Sequence, residues 1–262
     1  MTEGPIRITR QDGIFELVFD RPKANAIDPA TSRIMGQAFA EFRDDPSLRV
    51  AIVTGGGEKF FSAGWDLKNA AAEGERPDVD YGIGGFGGLQ ELPNLNKPVI
   101  AALNGMTVGG GFELALSCDM ILAAPHVRFA LPEIKAGTLA DAATLKLPRR
   151  LPYHVAMDLL LTGRWMEVEE AHRWGLVNEI VPFESLLPRA RELARLLADG
   201  PPLVFAAIKE VLRECEATPF HDAMKQITQR RLPTVETLYS SDDQMEGARA
   251  FAEKRAPVWK GK

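Results

Sequence analysis

Residues 98–119 constrain this chain more than any other stretch. Their first half is a short apolar run carrying valine and isoleucine, the signature of a buried strand. Gly109-Gly110-Gly111 follows, and then Phe112-Glu113-Leu114-Ala115-Leu116, which opens a helix. Three glycines between strand and helix permit positive φ and let a guest lie against bare backbone. A helix start leaves N–H groups without intrahelical partners, and its dipole favours negative charge there. The natural guest is an anion or a developing oxyanion. Glu113 is a lone carboxylate in an otherwise apolar segment, which is costly unless it is paired or used. A capping carboxylate on an apolar helix is the other reading of the same residue.

The chain has 262 residues, room for one large domain or a domain with an appendage. A formal net charge of −5 argues against nucleic acid as a partner. Cys118 and Cys215 sit in apolar or helical contexts, which is not a disulfide framework and suits a reducing cytoplasm. The start, Met1-Thr2-Glu3, lacks the charged-then-apolar pattern of a leader. Asn104, Glu113 and Asp119 interrupt the longest apolar stretch, so no membrane helix is expected.

Alternation over residues 6–9 and 14–19, separated by Asp12-Gly13, signals a hairpin. Asp28-Pro29 opens a helix as N-cap and first residue, with Ile34, Phe39 and Phe42 marking its apolar side. Residues 50–54, 120–124, 128–130 and 177–181 read as further strands. Residues 73–93, with Glu73, Glu75, Asp78, Asp80 and a glycine cluster, are the least structured part, expected to form a flap beside a pocket. Gly82, Gly84 and Gly87 have the spacing of a dinucleotide fingerprint but lack its strand–turn–helix frame. Helical spacing recurs over 153–161 and 167–174, and after Ser185 strand signals vanish. Residues 186–197, 202–214 and 244–254 read as amphipathic helices. The expectation is an α/β core over residues 1–198 and a helical region over 199–262.

His126, His154, His172 and His221 are scattered, with no pair at ligand spacing, so no metal site is expected. Ser62 lies outside any Gly-x-Ser-x-Gly elbow, and no phosphate-loop motif exists. What remains is two backbone corners, Ala63-Gly64-Trp65 and Gly109-Gly110-Gly111, and two carboxylates, Glu113 and Glu133. Two N–H groups from separate corners suit one carbonyl oxygen. A chain that returns across one strand brings both carboxylates to one pocket. Spacing alone favours Glu133 as an ordinary first-turn acid before Ile134 and Lys135.

Phe61-Ser62-Ala63-Gly64-Trp65-Asp66-Leu67-Lys68, residues 109–115 and Phe129-Ala130-Leu131-Pro132-Glu133 together resemble the crotonase (enoyl-CoA hydratase/isomerase) superfamily. The resemblance runs from the Arg21-Pro22-Lys23-Ala24 loop to the tail at residues 251–255. Residues 60–68, 84–86, 166–175 and 257–261 are nearest to the branch that interconverts crotonobetainyl-CoA and carnitinyl-CoA. It implies a spiral of β-β-α turns, with C-terminal helices that build trimers or dimers of trimers. It implies an oxyanion hole from the N–H groups of Trp65 and Gly110, with Glu113 and Glu133 as the acid/base pair. Lys23, Ala24, Ala63, Asp66, Leu67 and Lys68 should line the CoA channel, and Phe251 and Lys254 should reach a neighbouring subunit's CoA. CoA is part of the substrate, an acyl-CoA thioester, and no separate cofactor or metal is implied. The implied reaction is reversible hydration of a 2-enoyl-CoA. A general short-chain hydratase, an isomerase or a non-catalytic acyl-CoA-binding relative are the alternatives.

One departure stands out. The family commonly carries a Pro-Gly/Asp-x-Gly-Gly run after Gly137-Thr138, whereas this chain has Leu139-Ala140-Asp141-Ala142-Ala143-Thr144, with alanines in place of the glycines. Alanines there narrow backbone freedom and reshape the acyl pocket. A quaternary ammonium on the acyl group would favour aromatic faces, for which Trp65, Tyr81 and Phe86 are candidates, alongside a plain packing role.

Overall fold

The computed structural model describes residues 4–74, 76 and 78–262, the Glu73 side chain excepted. Residues 1–3, which lack a leader pattern, and Glu75 of the acidic segment lie outside the described residues. The strands are β1 (Ile6–Gln11), β2 (Ile14–Phe19), β3 (Ala26–Ile27), β4 (Val50–Gly55), β5 (Phe60–Ser62) and β6 (Gly64–Trp65), then β7 (Val99–Leu103), β8 (Met106–Val108), β9 (Met120–Ala123), β10 (Arg128–Ala130), β11 (Met166–Glu167) and β12 (Glu179–Ile180). A six-stranded sheet runs β1-β2-β4-β7-β9-β12, a four-stranded sheet β11-β10-β8-β5, and β3 pairs with β6.

The two larger sheets grow in step. β4, β7 and β9 are neighbours in one, and β5, β8 and β10 are neighbours in the same order in the other. From β4 onward each pass of the chain lays one strand in each of these sheets and then turns into a helix, while the first pass reaches its helix through β3. Those helices are α1 (Pro29–Asp44), α2 (Leu67–Glu73), α3 (Gly110–Leu116) and α4 (Glu133–Ala136). This is the expected β-β-α spiral. Among the described residues only β1–β2 and β10–β11 are antiparallel. β4 and β7 are buried along their whole length, which explains their near-continuous apolar sequence: strands of a parallel sheet are covered on both faces.

α1 starts as expected, with Asp28 accepting from the Thr31 N–H at 2.7 Å and Pro29 at its first position. Its buried face runs through Met35, Ala38, Phe39 and Phe42, the i, i+3, i+4, i+7 stripe. Ile34, expected on that face, is 44% exposed because it lies off the stripe. The glycine-rich part of the expected flap is hydrogen-bonded and packed onto α1. Gly88 N–H donates to the Gly85 carbonyl, Glu91 N–H to that of Gly84, and Gly87 N–H to Ser32 Oγ.

The middle of the chain continues through α5 (Asp141–Lys146), α6 (Tyr153–Thr162) and α7 (Val168–Arg173). The expected C-terminal helices are present as α8 (Phe183–Ala198), α9 (Pro202–Cys215) and, after two others, α12 (Glu246–Glu253). The two not anticipated are α10 (Phe220–Thr228) and α11 (Pro233–Tyr239), short segments entered through prolines. No described helix is long and apolar enough to cross a membrane.

Successive passes of the spiral are tied by two buried asparagines. Asn104 accepts from the Gly55 N–H at 2.9 Å and donates to the carbonyls of Gly57 and Phe60. Asn25 donates to the carbonyls of Gly56 and Phe60. The same turn thus receives side-chain bonds from the pass before it and the pass after it. Substituting Asn104→Ala leaves one buried N–H and parts of two carbonyl shells without partners. It should lower stability by at least about 2 kcal/mol, read from urea unfolding midpoints.

Candidate active site

The two backbone corners meet. Gly64 lies so close to α3 that a Cβ there would fall 2.7 Å from the Gly110 nitrogen and 2.7 Å from the Val108 carbonyl oxygen. A Cβ on Gly111 would fall 2.5 Å from the Ser62 carbonyl oxygen. Only hydrogen at these Cα atoms lets β5, β6 and the start of α3 close to this distance. Trp65, one residue past Gly64, and Gly110, the first residue of α3, are therefore brought to adjoining corners. The first N–H groups of a helix point out of its end with no intrahelical carbonyl in reach.

Both glutamates arrive at the same place. Gly109 precedes α3 with φ 55° and ψ −129°, and a Cβ on it would lie 2.6 Å from Glu133 Oε1. Glycine at 109 thus serves the turn and also leaves space for that carboxylate. Glu133 is indeed a first-turn acid, the opening residue of α4, yet its side chain packs against the α3 entrance. Its Oε2 is buried with no hydrogen-bond partner among the described residues. Burial, reinforced by repulsion from Glu113 and Asp141, pushes the Glu133 carboxyl up to about 7.

Glu113, in the first turn of α3, is 7% exposed. Its Oε1 accepts from the Ala143 N–H at 2.8 Å, and Oε2 accepts a long bond from Gln90 Nε2 at 3.4 Å. Burial raises its pKa, and the charge of Asp141 adds to the rise. The segment that departs from the family pattern therefore has a definite structural role, since it forms α5, whose Ala143 amide holds Glu113. Behind it, Lys146 Nζ donates to Ser117 Oγ at 2.7 Å, and that hydroxyl donates to the Glu113 carbonyl at 2.9 Å. Burial pulls the Lys146 ammonium down to about 8. Gln90, the Ala143 amide and Lys146 do not stand out in the sequence, because nothing local to them marks a distant partner.

The aromatic candidates divide between the two corners. A Cβ on Gly110 would overlap the Phe86 ring, so that ring edge lies directly on the α3 entrance. Tyr81 packs edge-on to Phe86 at 5.2 Å between centroids. Trp65 is half-buried on β6.

Of the expected CoA-channel residues, Ala24 and Ala63 are joined by a bond from the Ala63 N–H to the Ala24 carbonyl at 3.0 Å. Asp66 caps α2 and pairs with Arg21 at 2.6 Å, and Arg21 also pairs with Asp28 at 2.9 Å. Arg21 thereby clamps the loop carrying Lys23 onto the α2 entrance. Lys23, Leu67 and Lys68 are exposed beside that clamp. Phe251, 87% exposed, and Lys254 stand apart on and just past α12, which packs mainly on the turn at residues 242–245. Among the described residues no group of three or more His, Cys, Asp or Glu could hold a metal ion.

The chain as a whole has close relatives. The family model for enoyl-CoA hydratase/isomerase matches residues 9–262. The chain belongs to the enoyl-CoA hydratase/isomerase family, as its motifs implied, and is an enzyme of enoyl-CoA hydration and dehydration. Among its relatives are the carnitinyl-CoA dehydratases of Salmonella typhi and Citrobacter koseri, each 54% identical over 258 residues, 98% of this chain and 98% of theirs. The crystal structure of an enoyl-CoA hydratase from Mycobacterium tuberculosis H37Rv superposes with a TM-score of 0.88 at 37% identity, covering 99% of this chain and 100% of that one. One from Bacillus anthracis superposes with a TM-score of 0.88 at 31% identity, again covering 99% and 100%.

A raised carboxyl pKa has a thermodynamic consequence. The ordinary value for Glu133 is 4.5 and the folded value about 7, so the native state binds this proton more tightly than the unfolded chain. That contribution is complete below the unfolded value and is lost as pH rises through the folded one. Glu133→Gln should therefore gain stability relative to wild type by at least about 1 kcal/mol on going from about pH 5 to about pH 8. Urea midpoints of both proteins at the two pH values test this; a difference independent of pH would contradict the burial argument.

Proposed function

We propose that the chain interconverts crotonobetainyl-CoA and carnitinyl-CoA by reversible addition of water. The observation that carries this reading is the convergence of Glu133 on the Gly109–Gly110 corner, with Glu113 close enough for its charge to raise the Glu133 pKa. The named relatives supply the acyl group.

The thioester carbonyl sits between the N–H groups of Trp65 and Gly110. Those dipoles polarise it and carry the negative charge that grows on oxygen as water attacks C3. Losing one such donor costs roughly 10²–10³ in rate in other enzymes. The water lies between Glu113 and Glu133. One carboxylate takes its proton as the hydroxyl bonds to C3, and a proton is delivered to C2. In the reverse direction a carboxylate removes the C2 proton and the C3 hydroxyl leaves as water. The two groups titrate as a pair, with Glu133 the one aimed at C2. Burial supports this role, since a carboxyl near neutrality both holds and releases a proton at physiological pH. The clamp of Arg21 on Asp66 holds Lys23, Ala24, Ala63, Leu67 and Lys68 along the CoA channel.

A trimer, alone or paired into a hexamer, is part of the same proposal. Ile208, Leu212, Phe220 and Tyr239 on the C-terminal helices leave between 45% and 73% of their surface exposed, more apolar area than an isolated tail needs. In that assembly Phe251 and Lys254 meet a neighbour's CoA. Two unpaired thiols, Cys118 and Cys215, support a cytoplasmic setting.

Loss of the conjugated-thioester absorbance with crotonobetainyl-CoA and with crotonyl-CoA tests the reading directly. Turnover of crotonyl-CoA alone would replace the proposed substrate, and binding without turnover of either would remove the enzyme. Glu133→Gln and Glu113→Gln should each lower kcat at least about 10²-fold while CoA-ester affinity stays near that of wild type. Light scattering at micromolar concentration should give a multiple of three chains.

A further inference from the structure

The segment at residues 80–88 and the start of α5 both reach the catalytic centre: Phe86 lies on the Gly110 corner, and the Ala143 amide holds Glu113. Phe86 reaches that corner through a loop built to hold it. Gly82, Gly85, Gly87 and Gly88 all have positive φ, and Gly84 and Gly88 are in such close approach that a Cβ on either would overlap backbone. The loop is pinned to α1 through the Ser32 hydroxyl and through contact of Gly88 with Gly36. The ring it delivers lies on Gly110, and Tyr81 lies at 72° to it; both rings are half-buried, so part of their surface stays reachable.

The second element is Asp141, the first residue of α5, two residues before the amide that holds Glu113. It is exposed, and its charge is felt by both Glu113 and Glu133. The cation near this group, Lys146, is turned toward Ser117. Asp141 thus adds a third negative charge near the two glutamates, and the aromatic pair lies on the α3 entrance that they share. A neutral acyl chain leaves the charge of Asp141 acting on both glutamates; a positively charged one offsets it, and a quaternary ammonium also gains from aromatic faces without needing hydrogen bonds.

We propose that Tyr81, Phe86 and Asp141 form a subsite for a cationic acyl group, with the aromatic pair as its wall and Asp141 as its counter-charge, and that this subsite selects the substrate. The proposal rests on the reading of the site as one that hydrates crotonobetainyl-CoA.

The test compares crotonobetainyl-CoA with 5,5-dimethyl-2-hexenoyl-CoA, the same shape with carbon in place of the ammonium nitrogen. Wild type should favour the cation in kcat/KM by about tenfold or more. Asp141→Asn and Phe86→Leu should each cut that ratio by about threefold or more, whatever they do to the two rates taken singly. A ratio unchanged in both variants, or a wild type that treats the two substrates alike, overturns the subsite and leaves the hydratase reading standing. A wild type that hydrates crotonyl-CoA and the carbon isostere but not crotonobetainyl-CoA overturns the proposed substrate and the subsite together.

Discussion

The site exists because two backbones touch. Where Gly64 lies against the Gly110 amide, no side chain stands between β6 and the start of α3. That contact closes the distance between two corners that belong to successive passes of the spiral. A Cβ on Gly64 would separate them, and Gly109 and Gly111 face the same limit against Glu133 and Ser62. The buried asparagines Asn25 and Asn104 maintain the arrangement from behind, since both bond the turn that leads into β5. Precise backbone approach is thus supported by a small number of satisfied polar groups in an otherwise apolar layer.

The carboxylates show the opposite economy. Glu113 is buried but held by the Ala143 amide and Gln90, so its position is set. Glu133 is buried with one oxygen unpartnered, and its proton affinity rises accordingly. The two groups therefore differ in what surrounds them and not in what they are. An acid whose charged form is poorly solvated costs stability at neutral pH, and the same poor solvation is what allows it to exchange a proton there.

Much of the scaffold was legible in the residues. The apolar run over 99–103, the Asp28-Pro29 helix start and the hairpin at Asp12-Gly13 are local patterns with local causes, and each produced the expected element. Ile34 misled because apolar residues outnumber the buried stripe of α1. Helices α10 and α11 were hidden because each is short and is entered at a proline, Pro219 just before α10 and Pro233 at the start of α11, which reads as a break before it reads as a helix start. The glycine cluster at residues 82–88 read as looseness, whereas its positive-φ positions build a packed turn against α1.

For function, the sequence by itself determined the chemistry of the parts: two glycine corners, two acidic side chains, a chain of alternating strands and helices, and no competing catalytic motif. Those features follow from residue type and near neighbours. Which atoms meet is a different matter. That Glu133 would enter the space left by Gly109, that Ala143 would donate to Glu113, and that Phe86 would rest on Gly110 were decided by tertiary structure. The physical reason is distance along the chain: each of these contacts joins separate passes of the spiral, and only the stacking of its sheets sets how closely those passes approach.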